Sequence, residues 1–142
     1  MKKLTSLMIL TESLSKAEKR YFRLFSNIQS GDKKYVYLFD LINSKNTVDA
    51  VYAQFCKKYN SANFNMAVKH LYNSIMDCLI YLHRKQNIQT KIFAMISEAD
   101  VLFERTLFDE AMETLTKAKN MALTYEMYSL LILLRRTELQ YL

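Results

Sequence analysis

An all-α fold follows from three features of this 142-residue sequence. It holds one Gly and no Pro, so it lacks the residues on which hairpin turns and sheet connections depend. Its apolar residues recur at three- and four-residue steps, the period of a helix that buries one face. Its candidate turns are Asn- and Ser-based, as at Asn43 to Asn46 and at Asn60 to Asn63. Hydrophobic residues make up 51%, which is enough for a packed core and too much for a disordered chain. Eight Met, ten Tyr and eight Phe predict a core of long and aromatic side chains.

Leu4, Leu7, Met8 and Leu10 predict a short amphipathic turn or two. Met1-Lys2-Lys3 before that stretch superficially resembles a leader, but Thr5 and Ser6 interrupt it and no small-residue cleavage site follows. Ser15 and Glu18 have the spacing of a capping box, opening a helix that turns Ala17, Tyr21, Phe22, Phe25 and Ile28 inward. Ser30-Gly31-Asp32 ends it, with the glycine suited to the left-handed residue beyond a helix end. A second helix runs from about Lys33 to Ser44. A third carries Val48, Val51, Tyr52, Phe55, Cys56 and Tyr59 on one face, with Asn46 or Thr47 as its cap.

Residues 64–84 form the longest uninterrupted pattern and predict a spine helix capped by Asn63. Phe64, Ala67, Val68, Leu71, Tyr72 and Ile75 lie on one face; beyond Ile75 the apolar residues spread around the helix, predicting deeper burial at that end. A break at Arg84 to Asn87 separates a head, residues 1–87, from residues 88–142. In the latter, Ile88, Ile92, Phe93, Met95, Ile96, Ala99, Leu102 and Phe103 share a face. Thr106 with Asp109 can cap a second arm burying Ala111, Leu115, Ala118 and Ala122. A last helix begins at Tyr128 and contains Leu130-Leu131-Ile132-Leu133-Leu134, more apolar surface than one buried face needs.

Charge divides along the same line. Residues 1–90 hold 14 Lys and Arg against 6 Asp and Glu, a balance of +8; residues 91–142 hold 6 against 8, a balance of −2. A basic head suits nucleic acid, an anionic membrane or an acidic partner protein. No segment has the length of an apolar membrane span.

Enzyme chemistry finds no foothold. Glycine-rich phosphate loops and nucleophile elbows need glycines that are absent. Cys56, Cys78, His70 and His83 lack the close pairing of zinc ligands, so no metal or other cofactor is expected. Cys78 and His83 are five apart and diverge around a helix. With no disulfide framework in the spacing, a reducing, cytoplasmic setting is expected.

The hairpin from about Met95 to Leu123 resembles a tetratricopeptide repeat, a helix-turn-helix unit that stacks into concave peptide-binding solenoids. Ala99, Ala111 and Ala118 take the small positions where its two arms cross, and Phe108-Asp109-Glu110-Ala111 resembles the repeat's usual opening of the second arm. Leu102 and Leu115 take its large packing positions. Glu98, Thr106 and Leu123 depart from it, standing where leucine, the turn glycine and proline are usual. The opening, Leu14 to Phe25 followed by Gly31-Asp32-Lys33-Lys34-Tyr35, is similar to that of larger bacterial proteins in which tetratricopeptide-like helices follow a basic helical head. The resemblance implies a right-handed bundle or the start of a solenoid, as the N-terminal piece of a longer chain, with no activity assigned.

The expected function is therefore non-enzymatic protein–protein interaction or scaffolding. Asp100, Glu104, Arg105 and Tyr128 are the candidate contacts for a protein or peptide, and residues 128–142 the candidate face of a homodimer. The alternative is a DNA-binding regulator. Lys16, Lys19, Arg20 and Arg23 form a basic stripe, while the third helix, the Asn60–Asn63 turn and the spine could form a helix-turn-helix presenting Asn65, Lys69 and Asn73.

Overall fold

A computed structural model of the chain describes residues 2–28, 33–44, 47–84 and 86–142. The expected stop at Ser30-Gly31-Asp32 and the alternative cap Asn46 lie outside the described residues. Those residues are helical throughout, with no strand. The order is α1 (Lys2–Ser13), α2 (Lys16–Ile28), α3 (Lys34–Ser44), α4 (Val48–Lys58), a single 3-10 turn (Ser61–Asn63), α5 (Phe64–His83), α6 (Ile88–Glu104), α7 (Phe108–Thr124) and α8 (Tyr128–Gln140). No helix among them is long and apolar enough to cross a membrane. The chain divides into two compact units, Met1–Ile80 and Tyr81–Leu142, each with its own core.

The first unit is held by aromatic packing. Phe22 of α2 lies on Phe39 of α3, with ring centroids 4.6 Å apart. Phe64, at the start of α5, meets Tyr52 at 4.9 Å and Phe55 at 5.2 Å, both near edge-on, the arrangement that ring quadrupoles favour. Leu4 and Leu7 of α1 and Leu38, Phe39, Val51, Phe55 and Leu71 are buried with them.

Local chemistry sets the helix starts. Ser15 and Glu18 make the reciprocal capping box: the Glu18 amide donates to Ser15 Oγ at 3.1 Å, and the Ser15 amide to Glu18 Oε1 at 2.9 Å. Thr47 caps α4 by accepting from the Ala50 amide at 3.2 Å. In the first unit, four expectations are corrected. The α1 helix is 12 residues long, more than a turn or two. Ala17 and Ile28 at the two ends of α2 are exposed, the latter 84%, because the helix inserts only its middle, Phe22 and Ser26. Asn60, not Asn63, supplies the cap before α5: its Oδ1 accepts from the Ala62 amide at 3.1 Å, opening the 3-10 turn that runs into the helix. The fourth concerns α5, whose buried residues, Phe64, Ala67, Val68, Leu71, Ser74, Ile75 and Cys78, keep to one face and end at Cys78.

The second unit is an up-down-up arrangement of α6, α7 and α8. Its core is Ile92 and Ala99 from α6, Ala111, Leu115, Ala118 and Ala122 from α7, and Leu130 and Leu134 from α8. Four alanines at zero exposure let the helix backbones approach closely. Phe93, expected inward, is 44% exposed, since it lies one position past the buried Ile92.

Its two turns repeat one geometry. After α6, Thr106 takes a left-handed φ of 64°; after α7, Glu126 takes 55°. In the first, the Thr106 amide donates to Phe103 O at 3.0 Å and the Leu107 amide to Leu102 O at 2.9 Å. In the second, the Glu126 amide donates to Leu123 O at 3.2 Å and the Met127 amide to Ala122 O at 2.8 Å. This is the Schellman pattern, which satisfies carbonyls left open by a helix end. Thr106 is thus a C-terminal stop for α6 and not a cap for α7: the N-cap position is Leu107, which makes no side-chain cap bond.

Candidate functional site

In the first unit, Lys16, Arg20 and Arg23 of α2 are exposed and Lys19 is half-buried. Arg23 is committed structurally: its guanidinium pairs with Asp40 at 2.7 Å and lies 5.3 Å from the Phe39 ring centroid. The stripe therefore presents Lys16 and Arg20 more openly than Arg23. Lys58 is similarly occupied, with its ammonium 4.4 Å from the Tyr37 ring and 5.5 Å from that of Tyr59.

Asn65, Lys69 and Asn73 share the exposed side of α5. Two open depressions flank Lys69. One, of about 520 Å³, is lined by Lys2, Lys3 and Ser6 of α1 with Val68, Lys69 and Tyr72 of α5. The other, of about 500 Å³, is lined by Lys34 of α3, Asn63, and Met66, Ala67, Lys69, His70 and Asn73 of α5. The His70 ring lies 4.2 Å from that of the buried Tyr35. The sequence pattern picked out Lys69 and Asn73 but not Lys2, Lys3 or Lys34. The helical period marks an outer face; it does not say which ends of other helices arrive beside it.

In the second unit, Asp100, Glu104, Arg105 and Tyr128 are all exposed. They do not form one group. Asp100 accepts a hydrogen bond from the Tyr141 hydroxyl, so its carboxylate faces the end of α8. Burial, and then the bond to Asp100, pushes the Tyr141 hydroxyl well above the usual phenol range. Arg105 ends α6, while Tyr128, 59% exposed, begins α8. On α8, Leu130 and Leu134 are buried, but Ile132 and Leu139 are 58% and 68% exposed, and Leu133 39%. The five-residue apolar run thus has one covered side and one open side.

Lys119 of α7 and Glu138 of α8 form the second unit's most sheltered ion pair among the described residues, 2.6 Å apart with side chains 15% and 16% exposed. The hydrogen bond from Lys119 holds the Glu138 carboxyl below the usual carboxylate range, against the opposite pull of its burial. Arg135 adds a longer contact at 3.4 Å.

Cys78 is buried, and that burial raises its thiol above the usual value, which opposes nucleophilic reactivity. Among the described residues, no group of three or more His, Cys, Asp or Glu side chains is placed to hold a metal ion. No family model, curated protein or solved structure matches this chain.

Proposed function

We propose that this protein is a non-enzymatic protein-interaction module whose second unit is a tetratricopeptide-like stack that pairs with a second copy through α8. The observation that carries the reading is the open apolar side of α8, formed by Ile132, Leu133 and Leu139 beside the buried Leu130 and Leu134. Apolar surface of this kind on a packed helix is the usual mark of an interface.

Two further features support it. The same left-handed turn follows α6 and α7, and α8 returns onto α6 as well as α7, as successive members of a helical stack do. Charge permits self-pairing there: residues 81–142 carry 8 Lys and Arg against 8 Asp and Glu, whereas residues 1–80 carry 12 against 6 and would repel a second copy. Arg105 and Tyr128, at the start and end of the α7 hairpin, are the candidate edge contacts; Glu104 flanks them, and Asp100 acts through Tyr141.

Sedimentation velocity across the micromolar range tests the reading. The wild-type chain is expected to dimerise, and Ile132→Asp with Leu133→Asp to yield a monomer of unchanged helicity. A wild-type chain that stays monomeric throughout that range removes the paired-copy reading.

A further inference from the structure

We propose that the surface around Lys69 binds single-stranded nucleic acid, with a phosphodiester on Lys69 and one unpaired base in each of the two depressions beside it. The site lies wholly in the first unit and uses none of the residues of the α8 face.

The surface suits a polyanion electrostatically. Lys2 and Lys3 from α1, Lys34 from α3 and Lys69 from α5 line adjoining depressions, and among the described residues no carboxylate lines either one. Asp40, the acidic residue of α3, is already paired with Arg23. Nor does the first turn of α1, α3 or α5 itself hold an acidic residue opposing the positive end of its helix dipole. The ammonium groups of Lys2, Lys3 and Lys69 around one depression repel one another, and a polyanion relieves that repulsion. The Lys34 ammonium also lies 6.0 Å from the Tyr59 ring, which holds its stem on the aromatic core.

The two depressions also suit unpaired bases in shape. Each depression falls in the size range of a small-ligand pocket, roughly 300–1,000 Å³. Buried Val68 and Ala67 give them apolar floors, while Tyr72, 42% exposed, and His70 offer flat π faces. His70 is steadied against Tyr35. Lys69 lines both depressions, so a strand reaching from one to the other passes over it. Cations along a track with aromatic faces beside it are the combination by which single strands are bound without base pairing. A duplex keeps its bases stacked inside and cannot place them in such depressions, which favours the single strand.

The test is fluorescence anisotropy of the full 142-residue chain with a labelled oligouridylate, an oligothymidylate and a hairpin duplex of the same charge. Single strands are expected to bind more tightly than the duplex, with affinity falling as salt rises. Lys69→Gln and Tyr72→Ala are each expected to weaken single-strand binding about tenfold. Lys57→Gln, an exposed lysine on α4 outside the depressions, is expected to leave it within about twofold. Circular dichroism identifies any variant that loses helicity, and Tyr72→Phe, which keeps the π face, is expected to restore binding. Equal affinity for duplex and single strand, an unchanged Tyr72→Ala, or no binding even at low salt overturns the proposal.

Discussion

Tyr141, the C-cap of α8, donates its hydroxyl hydrogen to Asp100 of α6 while its ring lies stacked on Phe103, 4.2 Å between centroids and 12° between planes. The last turn of the described chain is thereby fastened to the first helix of its unit, across 41 residues of sequence. Two effects are superposed at this contact, and substitution separates them. Tyr141→Phe removes only the hydrogen bond to an exposed carboxylate and is expected to lower stability by about 0.5–1 kcal/mol. Tyr141→Ala also removes the stack and is expected to lower it by about 2 kcal/mol. Urea unfolding followed by far-ultraviolet circular dichroism measures both; equal losses would mean that the ring contributes nothing.

The same contact has a sign in pH. Folding raises the Tyr141 pKa, so the native state keeps its proton where the unfolded chain has begun to lose one. The stabilisation is complete below the ordinary tyrosine pKa of about 10 and is lost as the pH rises above it. In an absorbance titration, Tyr141 is expected to ionise later than an ordinary phenol. Tyr141→Phe should remove that late step.

Thr106 and Glu126 occupy left-handed backbone that glycine enters freely and that a Cβ atom opposes. Thr106→Gly is expected to stabilise the second unit by about 1 kcal/mol, and Glu126→Gly by somewhat less because its side chain is not branched at Cβ. Thermal unfolding of each variant checks the direction. A lower midpoint for Thr106→Gly would show that the threonine side chain contributes more than its backbone strain removes.

What could be read from the residues follows the range of the interaction. The Ser15/Glu18 capping box and the Thr47 cap were visible in advance because each is complete within four residues. The buried alanines of α7 were visible because their period is that of the helix itself. Thr106 was misread because threonine is a common N-cap, and only the backbone hydrogen bonds from Thr106 and Leu107 identify it as a stop. The Lys2, Lys3, Lys34 and Lys69 grouping was invisible, since it exists only once the starts of α1 and α3 lie beside α5. The Tyr141 latch escaped for the same reason.

Ala118 is fully buried between helices, as are Ala99 and Ala111. A larger side chain there has no space to enter without moving a backbone. Ala118→Leu is expected to destabilise by about 1–3 kcal/mol through overpacking, and Leu115→Ala by about 2–5 kcal/mol through the cavity it leaves. Because the two faults are opposite and adjacent, the double variant should recover part of the loss. Strict additivity in chemical unfolding would argue against their sharing one packed layer.

Glu138 gives the second unit an acid-sensitive joint between α7 and α8. Its folded pKa is lowered, chiefly by the hydrogen bond from Lys119, so its contribution is fully present above the ordinary glutamate range and is lost as the pH falls through the folded value. Glu138→Gln leaves the sheltered Lys119 ammonium without its counter-charge and is expected to cost about 1–3 kcal/mol at neutral pH. It should also flatten the acid limb of stability measured by urea unfolding from neutral pH to about pH 3. Replacing both partners by apolar residues, Lys119→Met with Glu138→Leu, removes the unpaired charge along with the pair. That double variant is expected to regain most of the neutral-pH stability while staying insensitive to acid. If it is no more stable than Glu138→Gln, the loss arises from packing at Glu138 and not from the stranded ammonium.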